Sequence, residues 1–203
     1  MLTLENISFL RDEKLLFTNL GFSLDTGSAL IITGCNGSGK TTLLKIIAGI
    51  LKQNSGQILW QQQDISLFPS LFYGDLQYIS DKNFFIDELT VIENLNFYSS
   101  LSGNIDALQA AISFFNIDDI IDCKIKNLSS GMLQKIKLVK LLANPATIWL
   151  LDELSSNLDI DNKKLLKDII KIRVKEQGIV IIATHDEYFF DIGHRLDIMN
   201  FKN

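Results

Sequence analysis

The sequence predicts an α/β fold: a mostly parallel sheet with helices on both faces, and a helical subdomain inserted into it. Three observations predict this. Short runs of aliphatic and β-branched residues alternate with longer amphipathic stretches along most of the chain. Two of the runs, "TIWLLD" and "GIVIIATH", are apolar without alternation, as strands buried on both faces are. The stretch from about 83 to 143 has helical patterns and no clear strand.

In chain order, strands are expected at "LTLENISF", "GFSLD", "ALIITG", "GQILWQ", "LQYIS", "TIWLLD", "GIVIIATH" and "RLDIMNF". Helices are expected at "GKTTLLKIIAGIL", at the consecutive "ELTVIENLNFYSSL" and "NIDALQAAISFFNI", and at "GMLQKIKLVKLLA", where Leu133, Ile136, Leu138, Val139, Leu141 and Leu142 recur at helical spacing. "DNKKLLKDIIKIRVKEQG" is amphipathic, with Gly178 placed to cap its C-terminus. With only two prolines, no low-complexity linker and no repeat, residues 1–203 read as one domain, its core 1–82 and 144–203 and its helical subdomain about 83–143.

Composition excludes several classes. At 47% hydrophobic and 21% charged residues the chain is globular, and a net charge of −5 argues against nonspecific nucleic-acid binding. Cys35 and Cys123 have no metal-ligand spacing and make no disulfide framework. No apolar run approaches the ~18–20 residues that cross a bilayer, and the acidic N-terminus is no signal peptide. A cytosolic chain is expected, with any membrane role peripheral and through a partner.

"GCNGSGKT", Gly34 to Thr41, matches G-x-x-x-x-G-K-[ST] between a strand and a helix, the setting in which that pattern cradles phosphate. Gly34, Gly37 and Gly39 permit backbone angles that side chains forbid. The N–H groups of the loop, Cys35, Asn36 and Ser38 included, then form an anion nest at a helix N-terminus, continued by Thr42. Lys40 adds a cation for the outer phosphates, and Thr41 a hydroxyl for Mg²⁺. The core is therefore expected to be a P-loop (RecA-like) nucleotide hydrolase core, with a nucleotide's phosphates and Mg²⁺ as ligands. Cys35 reads as a loop residue and not as a nucleophile.

"ATIWLLDE" is a strand ending in two acids. In P-loop enzymes such a strand is expected beside the phosphate-loop strand, with Asp152 on the metal and Glu153 facing the γ-phosphate to polarise water. His185, at the carboxyl end of "GIVIIATH", is placed for a γ-phosphate contact. "NLSSGM" by itself is a turn in which Ser129 or Ser130 caps the next helix. Asp159 in "SSNLD" stands near a helix start.

Together, "GCNGSGKT", "LSSGM", "IWLLDE", "SSNLD" and "ATH" in that order resemble the nucleotide-binding subunit of ATP-binding cassette (ABC) transporters over nearly the whole chain. The beginning "LTLENISFLRDEKLLFTNLGFSLDTG", with "LTVIENLNFY" and "QGIVIIATH", is similar to the ATP-binding subunits of the cytochrome c biogenesis (haem exporter) systems. The resemblance implies an antiparallel β subdomain at the edge of the core. It also implies an ATPase working as a homodimer with ATP sandwiched between two chains, where Ser129 and Gly131 of one close on the nucleotide of the other and Asp159 contacts the partner chain. It places the chain on an integral membrane permease at the cytoplasmic face of the bacterial inner membrane, meeting haem only indirectly. Lys40, Glu153 and His185 carry the family's catalytic positions.

Departures from the family pattern fall at three places. Arg11 stands where an aromatic ring stacks on adenine, and either stacks through its guanidinium or is solvated. Asp81 stands where a Gln touches Mg²⁺, and is a candidate metal ligand. Met132 replaces an amide side chain in "LSSGM", removing hydrogen-bonding capacity. Another cargo, such as a lipid, drug or metal complex, and a soluble non-transport ATPase are the alternatives.

Overall fold

The computed structural model describes residues 1–12, 14–80, 82, 84–102, 105–144, 146–156 and 158–202. In chain order the elements are β1 (Leu2–Arg11), β2 (Lys14–Leu24), β3 (Ser28–Thr33), α1 (Lys40–Ile47), β4 (Ser55–Trp60), β5 (Gln63–Asp64), α2 (Pro69–Gly74), β6 (Leu76–Ser80), α3 (Val91–Ser102), α4 (Ile105–Phe115), α5 (Ser130–Ala143), β7 (Ile148–Asp152), α6 (Ile160–Lys175), β8 (Ile179–Ala183) and β9 (His194–Asp197). The chain forms two compact units: Met1–Tyr78 with Ala146–Glu153 and Ile170–Asn203, and Ile79–Pro145 with Leu154–Ile169.

The first unit carries two sheets. One has the order β6-β7-β8-β3-β9. Strands β7, β8, β3 and β9 pair in parallel, with Leu150 opposite Ile181 and Ile31 opposite Ile182. Every residue of β7 and β8 is buried, which is why these strands read as unbroken apolar runs. β8 lies between β3 and β7, so the strand carrying Asp152 is not the neighbour of the phosphate-loop strand; the chain inserts "GIVIIA" between them. The smaller sheet, β2-β1-β4-β5, is antiparallel. A continuous core joins Leu2, Phe17, Leu20, Leu43, Leu150 and Ile181 with their neighbours.

Strand β2 runs well beyond the expected "GFSLD". Its alternation is broken by shifts in register against β1, where Asn6 (φ 52) and Asn19 (φ 49) take the left-handed conformation that Asn tolerates. At the far end, β9 stops at Asp197 and not at Phe201. The Asp197 carboxylate accepts from the Met199 N–H at 2.9 Å and turns Ile198–Phe201 into a 3₁₀ helix. Helix α2 was not expected; Pro69 opens it with a φ already suited to a first turn.

In the second unit α3, α4 and α5 pack on one another. Thr90 and Glu93 form a reciprocal cap on α3. The Thr90 N–H donates to Glu93 Oε2 at 2.8 Å, and the Glu93 N–H to Thr90 Oγ1 at 3.3 Å. The Thr90 N–H, and its hydroxyl donating to the same Oε2 at 3.0 Å, hold the Glu93 carboxyl below its ordinary range. The Lys140 ammonium lies 4.8 Å from the centroids of both Phe84 and Tyr98. Burial lowers its pKa to about 8.

Helix α6 begins behind Asp159, whose carboxylate accepts from the Asn162 N–H at 2.8 Å. Its far end differs from expectation. The left-handed residue there is Gln177 (φ 65), with Gly178 one place beyond, its N–H reaching the Arg173 carbonyl at 2.9 Å. A Cβ on Gly178 would fall 2.9 Å from that same carbonyl oxygen, so glycine answers a close approach of backbone and not a left-handed turn.

Candidate nucleotide-binding site

Between β3 and α1 the chain makes an open loop whose conformation only glycine sustains at its ends. Gly34 has φ 143, and a Cβ there would fall 2.8 Å from Ile198 Cγ2 and Ser38 Oγ. Gly39, the N-cap of α1, has φ 109 and faces the Phe17 ring. The loop is closed by a hydrogen bond from the Ser38 N–H to the Cys35 carbonyl at 3.1 Å. The Ser38 hydroxyl is buried and makes no hydrogen bond among the described residues. No acidic residue sits in the first turn of α1, so the N–H groups there are uncompensated and attract an anion.

Lys40 is buried beneath this loop. Its Nζ donates to the Gly34 carbonyl at 2.8 Å and the Cys35 carbonyl at 3.5 Å, and lies 3.6 Å from Glu153 Oε1. The next residue, Thr41, donates from Oγ1 to Asp152 Oδ1 at 2.9 Å, joining α1 to the end of β7. Asp152 is 2% exposed, and its Oδ2 accepts from the Tyr78 hydroxyl at 2.9 Å. Glu153 follows β7 with φ 52, in the left-handed region, its N–H bonded to the Ala183 carbonyl at 2.9 Å. Glu153 Oε2 stands 3.0 Å from His185 Nδ1. A carboxylate only accepts, so an ionised Glu153 places the ring proton on Nδ1.

The loop opens on a cleft of about 690 Å³. Asn36 to Thr42 and Glu153 line it. Arg11 lines it too, with Phe9, Leu16 and Leu51. These apolar walls were not singled out by sequence, although Phe9 stacks on Phe17 with centroids 6.3 Å apart. Cys35 is exposed, its thiol 3.7 Å from the Met199 thioether. Tyr78 was also missed. The string "YIS" carries no signal for a contact made to a residue so distant in the chain.

In the second unit Ser129 is the N-cap of α5, its hydroxyl accepting from the Met132 N–H at 3.2 Å. That selects Ser129 over Ser130 as the capping residue. Gly131 lies in the first turn, with open space where a Cβ would be, and the Met132 side chain is 40% exposed. Asp81 lies outside the described residues.

A glycine loop at a helix N-terminus, a buried lysine beneath it and an acid pair at the end of a central parallel strand define a P-loop nucleotide hydrolase. The family model described as "ABC transporter" matches residues 17–156. The chain belongs to the ABC transporter family, as an ATP-binding, ATP-hydrolysing subunit.

It is 36% identical to the "Cytochrome c biogenesis ATP-binding export protein CcmA" of Wolbachia pipientis wMel, over all of this chain and 98% of that protein. It is 37% identical to "ABC transporter I family member 1" of Arabidopsis thaliana, over 91% of this chain and 81% of that one. Among solved structures, a "Putative ABC transporter (ATP-binding protein)" from Pyrococcus furiosus superposes with a TM-score of 0.85 at 25% identity, covering 100% of this chain and 99% of the other. Among the described residues no helix is long and apolar enough to cross a membrane.

Proposed function

We propose that the chain is the ATPase subunit of a membrane complex that handles haem for c-type cytochrome assembly. The observation that carries the catalytic reading is the linked set Lys40–Glu153–His185 beside Thr41–Asp152, gathered at one phosphate loop. The cargo reading is supported by relatives called cytochrome c biogenesis ATP-binding export proteins in several bacteria, at 32–36% identity. The chain works as one cassette, residues 1–203, with 83–143 as its helical insertion. It pairs with a second copy through two sandwiched ATP molecules and docks on an integral permease at the cytoplasmic face of the inner membrane. Haem is met only through that complex.

The mechanism is positioning and charge neutralisation. Loop N–H groups from Gly34 to Thr42 take the phosphates. Lys40 exchanges the Gly34 and Cys35 carbonyls for phosphate oxygens, which bear more charge. That exchange also draws Lys40 from Glu153, whose carboxylate then accepts a proton from the attacking water while His185 steadies it. Arg11 and the apolar wall beside it receive the base. Ser129 and Gly131 at the start of α5 close on the γ-phosphate of the partner chain's nucleotide, and Asp159 meets that partner. The residues fit Mg²⁺: Thr41 and Asp152 offer hard oxygens, and phosphate and water complete the usual set. The ion supplies neutralisation of phosphate charge there.

Affinity isolation of the tagged chain from native membranes, with mass spectrometry and a haem absorbance scan, tests the assignment. A permease with haem-handling chains is expected. A permease without them assigns another cargo, and a ribosome or DNA pellet refutes the transport reading.

A further inference from the structure

We propose that Tyr78 is the positioning residue for the metal-binding carboxylate, holding Asp152 in the rotation that serves Mg²⁺. The inference rests on the nucleotide-site reading above and concerns a residue that reading does not use. The last side-chain torsion of an Asp is broad and has no sharp rotamer wells. Rotation of the Asp152 carboxylate is set by what it bonds to. Two hydroxyls are among the groups that bond it, Thr41 at Oδ1 and Tyr78 at Oδ2, each at 2.9 Å. Their tasks differ. Thr41 stands at the head of α1 inside the phosphate cleft, and commits its proton to Asp152 while its lone pairs remain for the metal. Tyr78 belongs to β6, beside β7 in the sheet, and is not among the residues that line the cleft. Its phenol grips Asp152 from a strand and not from the nucleotide loop, so the grip persists as the loop adjusts to its ligand. Outer partners of this kind orient ligating groups, and their loss costs metal affinity while leaving the ligand itself in place.

The test uses the purified full chain with a non-hydrolysable ATP analogue, and Mn²⁺ followed by its EPR signal. In Tyr78→Phe the Mn²⁺ midpoint is expected to rise about tenfold, with analogue affinity in EDTA unchanged and ATP turnover recovering as Mg²⁺ is raised. Placing 4-aminophenylalanine at position 78 restores a donor at the same ring position and is expected to return the midpoint. An unchanged midpoint in Tyr78→Phe, a parallel loss of affinity in EDTA, or a midpoint still raised with the amino analogue overturns the positioning role. Failure of the wild-type chain to bind the analogue at all sinks the nucleotide-site reading instead, a distinguishable result.

Discussion

Glu153 Oε2 and His185 Nδ1 are 3.0 Å apart, brought together from the ends of two adjacent parallel strands. Glu153 is held there in a left-handed backbone conformation, which non-glycine residues adopt at a cost. The geometry gives one carboxylate two neighbours, a ring nitrogen and the Lys40 ammonium. As the proposed base, Glu153 is replaceable in shape but not in chemistry. Glu153→Gln keeps the side-chain size and is expected to bind ATP while turnover falls by at least about 10²-fold. Phosphate release measured beside nucleotide binding separates the two. Turnover at the normal rate removes Glu153 from the role of base.

Lys40 presents a different case, because besides Glu153 its ammonium donates to carbonyls of its own loop. In Lys40→Ala the loop loses its only buried ammonium among the described residues lining the cleft. A hydrogen bond to a charged group contributes about 1.5–3 kcal/mol, so ATP affinity is expected to drop roughly 10–100-fold. Equilibrium binding in EDTA reads this without the metal. An affinity within twofold of wild type would show that the loop N–H groups suffice.

The phosphate loop and the two buried strands were legible because each makes a demand that few residues meet. Gly34 and Gly39 answer backbone angles, and "IWLLD" and "IVIIA" answer burial on both faces. Strand β2 was only partly legible, since bulges at Asn6 and Asn19 break the alternation that marks a strand. The end of β9 was misplaced because one Asp197 side chain redirects the backbone against a string of apolar residues. The order of the parallel strands was misread for a topological reason: nothing in "GIVIIA" says between which neighbours it will lie. Tyr78 was hidden for a simpler reason. Its role lies in one tertiary contact, and a phenol in a strand reads equally well as packing.

Met132 tests how much of the "LSSGM" stretch depends on side chains. The Ser129 cap is made through the Met132 backbone N–H, which any residue but proline supplies. What Met132 lacks is an amide side chain. Met132→Gln is therefore expected to leave the melting temperature nearly unchanged while strengthening the proposed ATP-driven dimerisation. Ser129→Ala is expected to cost about 1 kcal/mol of stability and to weaken dimerisation as well. Sedimentation with ATP in a Glu153→Gln background reads both. Identical dimerisation with Met or Gln at 132 would mean that the thioether costs nothing.

Lys140 predicts a pH dependence with a definite sign. Burial lowers its pKa from 10.5 to about 8 in the folded chain, so between those values the unfolded chain binds more protons than the folded one. Unfolding is then progressively disfavoured as pH rises through that window. The slope approaches about 1.4 kcal/mol per pH unit for one proton. Tyr98, beside it, has a pKa raised by burial, and opposes the trend once the unfolded phenol ionises at about pH 10. The usable range is thus from about pH 8 to about pH 10. Urea midpoints measured at steps across it are expected to climb in the wild-type chain. Lys140→Met removes the titrating group while keeping a flexible apolar stem against Phe84 and Tyr98. Its midpoint is expected to be flat across that range and higher than wild type at neutral pH. A wild-type midpoint that does not move between those limits would show that the Lys140 ammonium keeps its proton in the folded chain, with the Phe84 and Tyr98 ring faces offsetting its burial.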